Sequence, residues 1–133
     1  MNKTFSATLS NIKNIRLFVT NFLNDYELEM KLVNNIKLAV DESVSNIIKH
    51  SYKVEDKKNK IEIKLEIIEK KLFIHLFDNG TPVKQKNIQP RNLKDIKPGG
   101  LGSYFINEIM DEVKWKTKSK DWVNHLILIK KIY

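Results

Sequence analysis

Cysteine is absent from this chain. That excludes a disulfide frame and any thiolate metal site, and nothing in the composition points to an oxidising compartment. Long apolar runs are absent too. No segment approaches the roughly 20 apolar residues needed to cross a bilayer. The opening MNKTFSATLS lacks the apolar stretch of a signal peptide, so a cytoplasmic protein with no membrane partner is expected. Glycine and proline are scarce, at four and three residues, and unevenly placed: every proline and three of the glycines fall within 79–100. Acidic residues are outnumbered, 16 against 24 Lys and Arg, for a formal charge of +8. Such an excess suits anionic partners: nucleotides, nucleic acids or acidic protein surfaces. The densest basic patch, Lys57, Lys58 and Lys60, has no aromatic residues interleaved with it. It reads as a solvated loop rather than a nucleic-acid groove, and direct nucleic-acid binding is not expected.

What is present fits one domain over residues 1–133, long enough to bury about two-thirds of its unfolded surface. Residues 3–9 alternate weakly and suit an edge strand. Ser10 is a candidate N-cap for a helix carrying Ile12, Ile15, Val19 and Phe22. A longer helix is expected over about 29–51, with Val33, Ile36, Val40, Val44 and Ile47 toward a core. Ile61, Ile63, Leu65 and Ile67 alternate with Glu62, Lys64 and Glu66, the period-two signature of a strand with one wet face. Glu69-Lys70-Lys71 reads as a tight connection into the more uniformly apolar strand Leu72–Phe77. Residues 79–100 show no period, and roughly twenty structureless residues in a compact domain usually mark a functional lid. A helix over Leu101–Met110 and two strands, around Val113–Thr117 and Trp122–Ile129, complete the chain. The order predicts an α+β fold: a two-layer sandwich with a mainly antiparallel, mixed sheet and its helices on one face.

Three segments carry candidate chemistry. In AVDESVSNIIKHSY, helical spacing gathers Glu42, Asn46, Lys49 and His50 into one sector. Asn46 has the chemistry of a neutral oxygen ligand for Mg²⁺ bridged by phosphates, Lys49 can neutralise phosphate, and Glu42 can orient or deprotonate a hydroxyl. The same residues also make an ordinary wet helix face, and His50 near a helix end also complements the dipole. Asp78-Asn79-Gly80-Thr81-Pro82 ends an apolar strand. A carboxylate there can accept from an exocyclic amine such as that of adenine, and Gly80 lets a flat base approach. Asn-Gly before proline equally makes a plain turn. Gly99-Gly100-Leu101-Gly102 opens a helix, where amides attract phosphate, or serves as a hinge. His75 and His125 lie in apolar strands and read as structural.

In this order and spacing the segments resemble the nucleotide-binding boxes of the histidine-kinase-like ATPase superfamily, most closely its anti-sigma-factor serine-protein kinases. DESVSNIIKHSY is similar to their first box, DNGTP to the adenine box, and GGLGSYFINEIMDEVKW to the last box with the helix and strand after it. The resemblance spans about residues 4–130 and implies a histidine-kinase-like ATPase fold using ATP and Mg²⁺. Glu42 would be the general base, Asn46 the Mg²⁺ ligand, and Lys49 and His50 would lie near the phosphates. Asp78 would bind the adenine amine and Gly80 admit the ring. The Gly99–Gly102 segment, through Gly100 and Gly102, would wrap the phosphates at the end of a lid over about 81–98. The implied partners are an antagonist protein carrying the accepting serine and a sigma factor held inactive, with homodimers common. The alternative is a non-catalytic, ATP-gated module that controls a regulatory partner.

Overall fold

Ile61, Ile63 and Leu65 are fully buried, as their alternation requires, and they lie on strand β2, Lys60–Ile68. A computed structural model of the chain describes residues 1–82, 101–119 and 121–133. In it β2 runs antiparallel to β3, Lys71–Asp78, with Ile63 opposite Leu76 and Leu65 opposite Ile74. The two-residue connection is Glu69-Lys70, and both residues have positive φ, 50° and 69°. That is the sign a primed hairpin turn needs to match strand twist, here met without glycine. β1, Asn2–Ser6, pairs with β2 at one edge. β5, Trp122–Lys131, lies beside β3, and β4, Glu112–Ser119, forms the other edge, giving the order β1-β2-β3-β5-β4. All four pairings are antiparallel, so no parallel pair of a mixed sheet occurs among the described residues.

One face of the sheet is covered by helices α1, Ile12–Leu23, α2, Met30–Asn46, and α3, Leu101–Ile109. Four-residue spacing puts Ile15, Val19 and Leu23 of α1 on one stripe, and all are buried against the sheet. From α2 come Ile36, Ala39, Val40 and Val44, and from α3 Ile106. Burying each side chain of this size contributes about 1.5–3 kcal/mol before entropy is counted. Arg16 of α1 donates through Nε to both oxygens of Asp41 on α2, each at 3.0 Å. Ser10 does not cap α1. It sits in a short 3₁₀ turn, Leu9–Asn11, that moves the cap position to Asn11, and its hydroxyl pairs with Thr8 instead.

Among the described residues the opposite face carries no helix. By register it holds Phe73, His75 and Phe77 of β3 with His125, Ile127 and Ile129 of β5, none of which joins the helix-packed core. Glu62, Lys64 and Glu66 border this row on β2, and Glu112, Lys114 and Lys116 border it on β4. A solvated antiparallel face usually alternates to polar. Here its centre is aromatic and aliphatic, and His125, Ile127 and Ile129 are buried.

Candidate nucleotide site

The expected long helix changes character where its polar residues lie. α2 keeps α geometry to Asn46 and continues as a π-helical turn, Ile47–Tyr52, that ends at Lys53 with φ 67°. Such turns are rare and recur at functional sites. Glu42 and Asn46 remain one α turn apart and half-buried. A turn closed by i→i+5 bonds takes more than four residues, so the step from Asn46 to His50 no longer completes a turn. Lys49 and His50 are exposed at this widened end. A cavity of about 30 Å³ lined by Asn46, Ser43, Asn107 and Trp115 is too small to hold a nucleotide.

The wider turn brings Ser51 onto the end of β3. Its hydroxyl donates to Asp78 Oδ1 at 2.5 Å, and its carbonyl accepts the Thr81 N–H at 2.8 Å. Gly80 N–H also donates to Asp78 Oδ1, at 2.9 Å. A Cβ on Gly80 would lie 2.2 Å from Ser51 Oγ and 2.5 Å from the Ser51 carbonyl carbon and oxygen. The glycine is thus required by the chain's own close approach to the helix end, a reason absent from the sequence reading. Tyr52 pins the same turn from the side: its hydroxyl donates to the Lys60 carbonyl and accepts the Asn79 N–H at 2.8 Å. Burial pushes the Tyr52 phenol above its ordinary value, and the Asp78 carboxylate adds to this. Asn79 Oδ1 accepts the Val123 N–H at 2.9 Å, fastening the turn to β5.

Asp78 itself is fully buried, and among the described residues its Oδ2 has no hydrogen-bond partner. A buried acceptor left unmatched costs about 1–3 kcal/mol. The chemistry that satisfies it is a single N–H donor approaching from outside, which is what the exocyclic amine of adenine supplies, so ATP fits the residues present. For Mg²⁺ the fit rests on the Asn46 amide oxygen. Among the described residues no group of three or more His, Asp or Glu could hold a metal ion alone, as expected for an ion that arrives with phosphate ligands.

Leu101 and Gly102 open α3 as expected. Gly99 and Gly100, with 83–98 of the expected lid, lie outside the described residues. Two residues of the site escaped the sequence reading, Ser51 and Asn124. Asn124 is fully buried in β5 directly opposite Asp78. The available signal was its position as a polar amide in the apolar run WVNHLILI.

A model of the histidine kinase-like ATPase domain matches residues 5–130. The chain belongs to the histidine kinase-like ATPase family. Within that family it is 30% identical over 107 residues to the serine-protein kinase RsbW of Listeria monocytogenes serotype 4a, an alignment covering 74% of this chain and 68% of the relative. RsbW of Staphylococcus aureus is 33% identical over 89 residues, 61% of this chain and 56% of that protein. The RsbU and RsbW domains of Rv1364c from Mycobacterium tuberculosis share the fold at a TM-score of 0.71 and 14% identity, over 99% of this chain and 31% of that one. A chain of the SiaB–SiaC complex from Pseudomonas aeruginosa does so at 0.64 and 14%, over 98% and 88%. No described helix is long and apolar enough to cross a membrane.

Proposed function

We propose that the chain is a Mg·ATP-dependent serine-protein kinase that phosphorylates a small antagonist protein and so switches a regulatory partner, a sigma factor in the first instance. The observation that carries this is the buried Oδ2 of Asp78, which has no hydrogen-bond partner among the described residues. Its kinase assignment is supported by relatives named serine-protein kinase RsbW, and its partner by the fold shared with a chain of the SiaB–SiaC complex. Asp78 takes the adenine amine, Asn46 offers the metal its amide oxygen, and Lys49 at the exposed helix end neutralises phosphate charge, with His50 beside the phosphates. Gly99, Gly100, Leu101 and Gly102 belong to this reading as phosphate-binding residues by the resemblance of their segment alone. The bound Mg·ATP supplies the γ-phosphoryl group and its charge neutralisation. Glu42 takes the serine hydroxyl proton as the new P–O bond forms and the bond to ADP breaks.

The test is phosphotransfer to the antagonist, read by mass spectrometry, with Glu42→Gln beside the wild type. Loss of a general base lowers the rate by about 10²–10⁴-fold while ATP affinity stays within a few-fold. Near-wild-type transfer by Glu42→Gln removes the proposed base. ATP-dependent partner affinity with no phosphoserine in the wild type replaces the kinase with an ATP-gated clamp.

A further inference from the structure

We infer that Asn124 is a positioning residue for purine recognition: acting through Asp78, it makes the site discriminate a 6-amino purine from one lacking the amine. The inference rests on the nucleotide reading above and deepens it. Asp78 holds a ligand amine only if Oδ2 points outward, and a carboxylate turns freely about its last torsion unless the other oxygen is held. Oδ1 is held by three donors: the Ser51 hydroxyl, the Gly80 N–H, and Asn124 Nδ2 at 3.0 Å. The first two come from the helix end and from the turn itself. Asn124 is the donor that comes from the sheet, on β5, in register with Asp78.

Asn124 Nδ2 also donates to the Thr81 carbonyl at 2.9 Å and lies 3.2 Å from Ser51 Oγ. One amide therefore joins β5, the carboxylate, the helix end and the first residue beyond the Asp78-Asn79-Gly80 turn. Asn124, Asp78 and Ser51 lie out of water, the first two 0% exposed and Ser51 6%. Hydrogen bonds to a charged acceptor in such a place are among the stronger ones. Without the amide, Oδ1 keeps two donors, both on segments that Asn124 itself helps to fix. The carboxylate then gains freedom in the one direction that a purine amine reads.

The experiment uses the intact chain and isothermal titration calorimetry with two probes, ATP and purine riboside triphosphate, which lacks the 6-amino group. Wild type should prefer ATP. Asn124→Ala should bind ATP about tenfold more weakly, the worth of one good hydrogen bond near 1.4 kcal/mol. Its affinity for purine riboside triphosphate should change no more than about two- to threefold, so the preference collapses. Asn124→Ser, whose shorter hydroxyl stops short of Asp78, should lose the preference as the alanine variant does, and serves if that variant does not fold. Equal weakening of both nucleotides in either variant, or an undiminished preference for ATP, overturns the inference and makes Asn124 a packing residue only. A wild-type chain that binds neither nucleotide refutes the nucleotide reading itself, a result distinct from the other two.

Discussion

Two polar knots tie β3 to β5, and they are built on opposite principles. At the strand end, Asn124, Ser51 and Gly80 all donate to one oxygen of Asp78, and among the described residues the other oxygen has no donor. Three residues earlier, on the face opposite the helices, His75 uses both ring nitrogens within the chain, one with His125 Nε2 at 2.8 Å and one with Glu66 Oε1 at 2.9 Å. Its neighbours Phe73, Phe77 and His125 stack on it, and Phe77 lies 4.1 Å from the His125 ring. The second knot satisfies itself. The first holds an unmatched acceptor in place, which is costly to the free chain and useful only to a ligand. The same strand pair thus shows why a buried polar cluster is not by itself a site: what matters is which atom remains unmatched.

The largest effect expected from breaking this contrast is at Asp78. Asp78→Asn keeps the volume and lets the amide oxygen receive the three donors, at a cost of about 1–3 kcal/mol for the buried amide N–H groups left unmatched. The amide nitrogen then replaces Oδ2 and meets the incoming amine donor to donor. ATP affinity should fall roughly 100-fold or more, from the lost charged bond plus the unpaired N–H, with the circular-dichroism spectrum unchanged. Tight ATP binding by this variant would sink the assignment of the knot to the adenine amine.

A smaller effect, on stability, separates the chain's own needs from the ligand's. Gly80→Ala forces a methyl into Ser51 and should cost about 1–3 kcal/mol by overpacking, lowering the melting temperature by about 2–12 °C for a domain of this size. Adding Ser51→Ala should not restore it, because the Ser51 backbone carbon and oxygen still stand 2.5 Å from the new atom. An unchanged melting temperature would show that the glycine serves the ligand and not the fold.

Much of the first knot's frame was legible in the sequence. The alternation of Ile61, Ile63 and Leu65 and the all-apolar β3 gave the hairpin, and Asp78 fell at its end, where an adenine-binding carboxylate was expected. The partners of Asp78 were not legible. Ser51 reaches it because α2 opens into a π turn, which no hydrophobic period announces, since the apolar stripe runs on through Ile47 and Ile48. Asn124 reaches it by a pairing of strands forty-six residues apart, a non-local contact that local pattern cannot specify. The same holds for His75 and His125. Each read as structural, yet their contact depends on β5 inserting beside β3 rather than beyond β4.

The smallest expected effect sharpens the contrast from the other knot. Burial pushes the His125 imidazole down to about 4, with His75, Lys116 and Lys64 adding repulsion. Glu66 balances this only through His75, with which it pairs. A histidine lowered in the folded state stays neutral there while the unfolded chain takes up a proton near pH 6.5. Unfolding therefore binds protons, and this contribution to stability is fully present above about pH 6.5 and is lost as pH falls toward about 4. His125→Phe keeps a ring against Phe77 and removes the titration, so the difference in denaturation midpoint between variant and wild type should change across that window and level off above it. ATP affinity at neutral pH should be the same in both, because Phe77 and His125 face away from Asp78 and Asn124. A variant that lost nucleotide binding would show the two knots to be one coupled unit, and the self-satisfied cluster would then belong to the site after all.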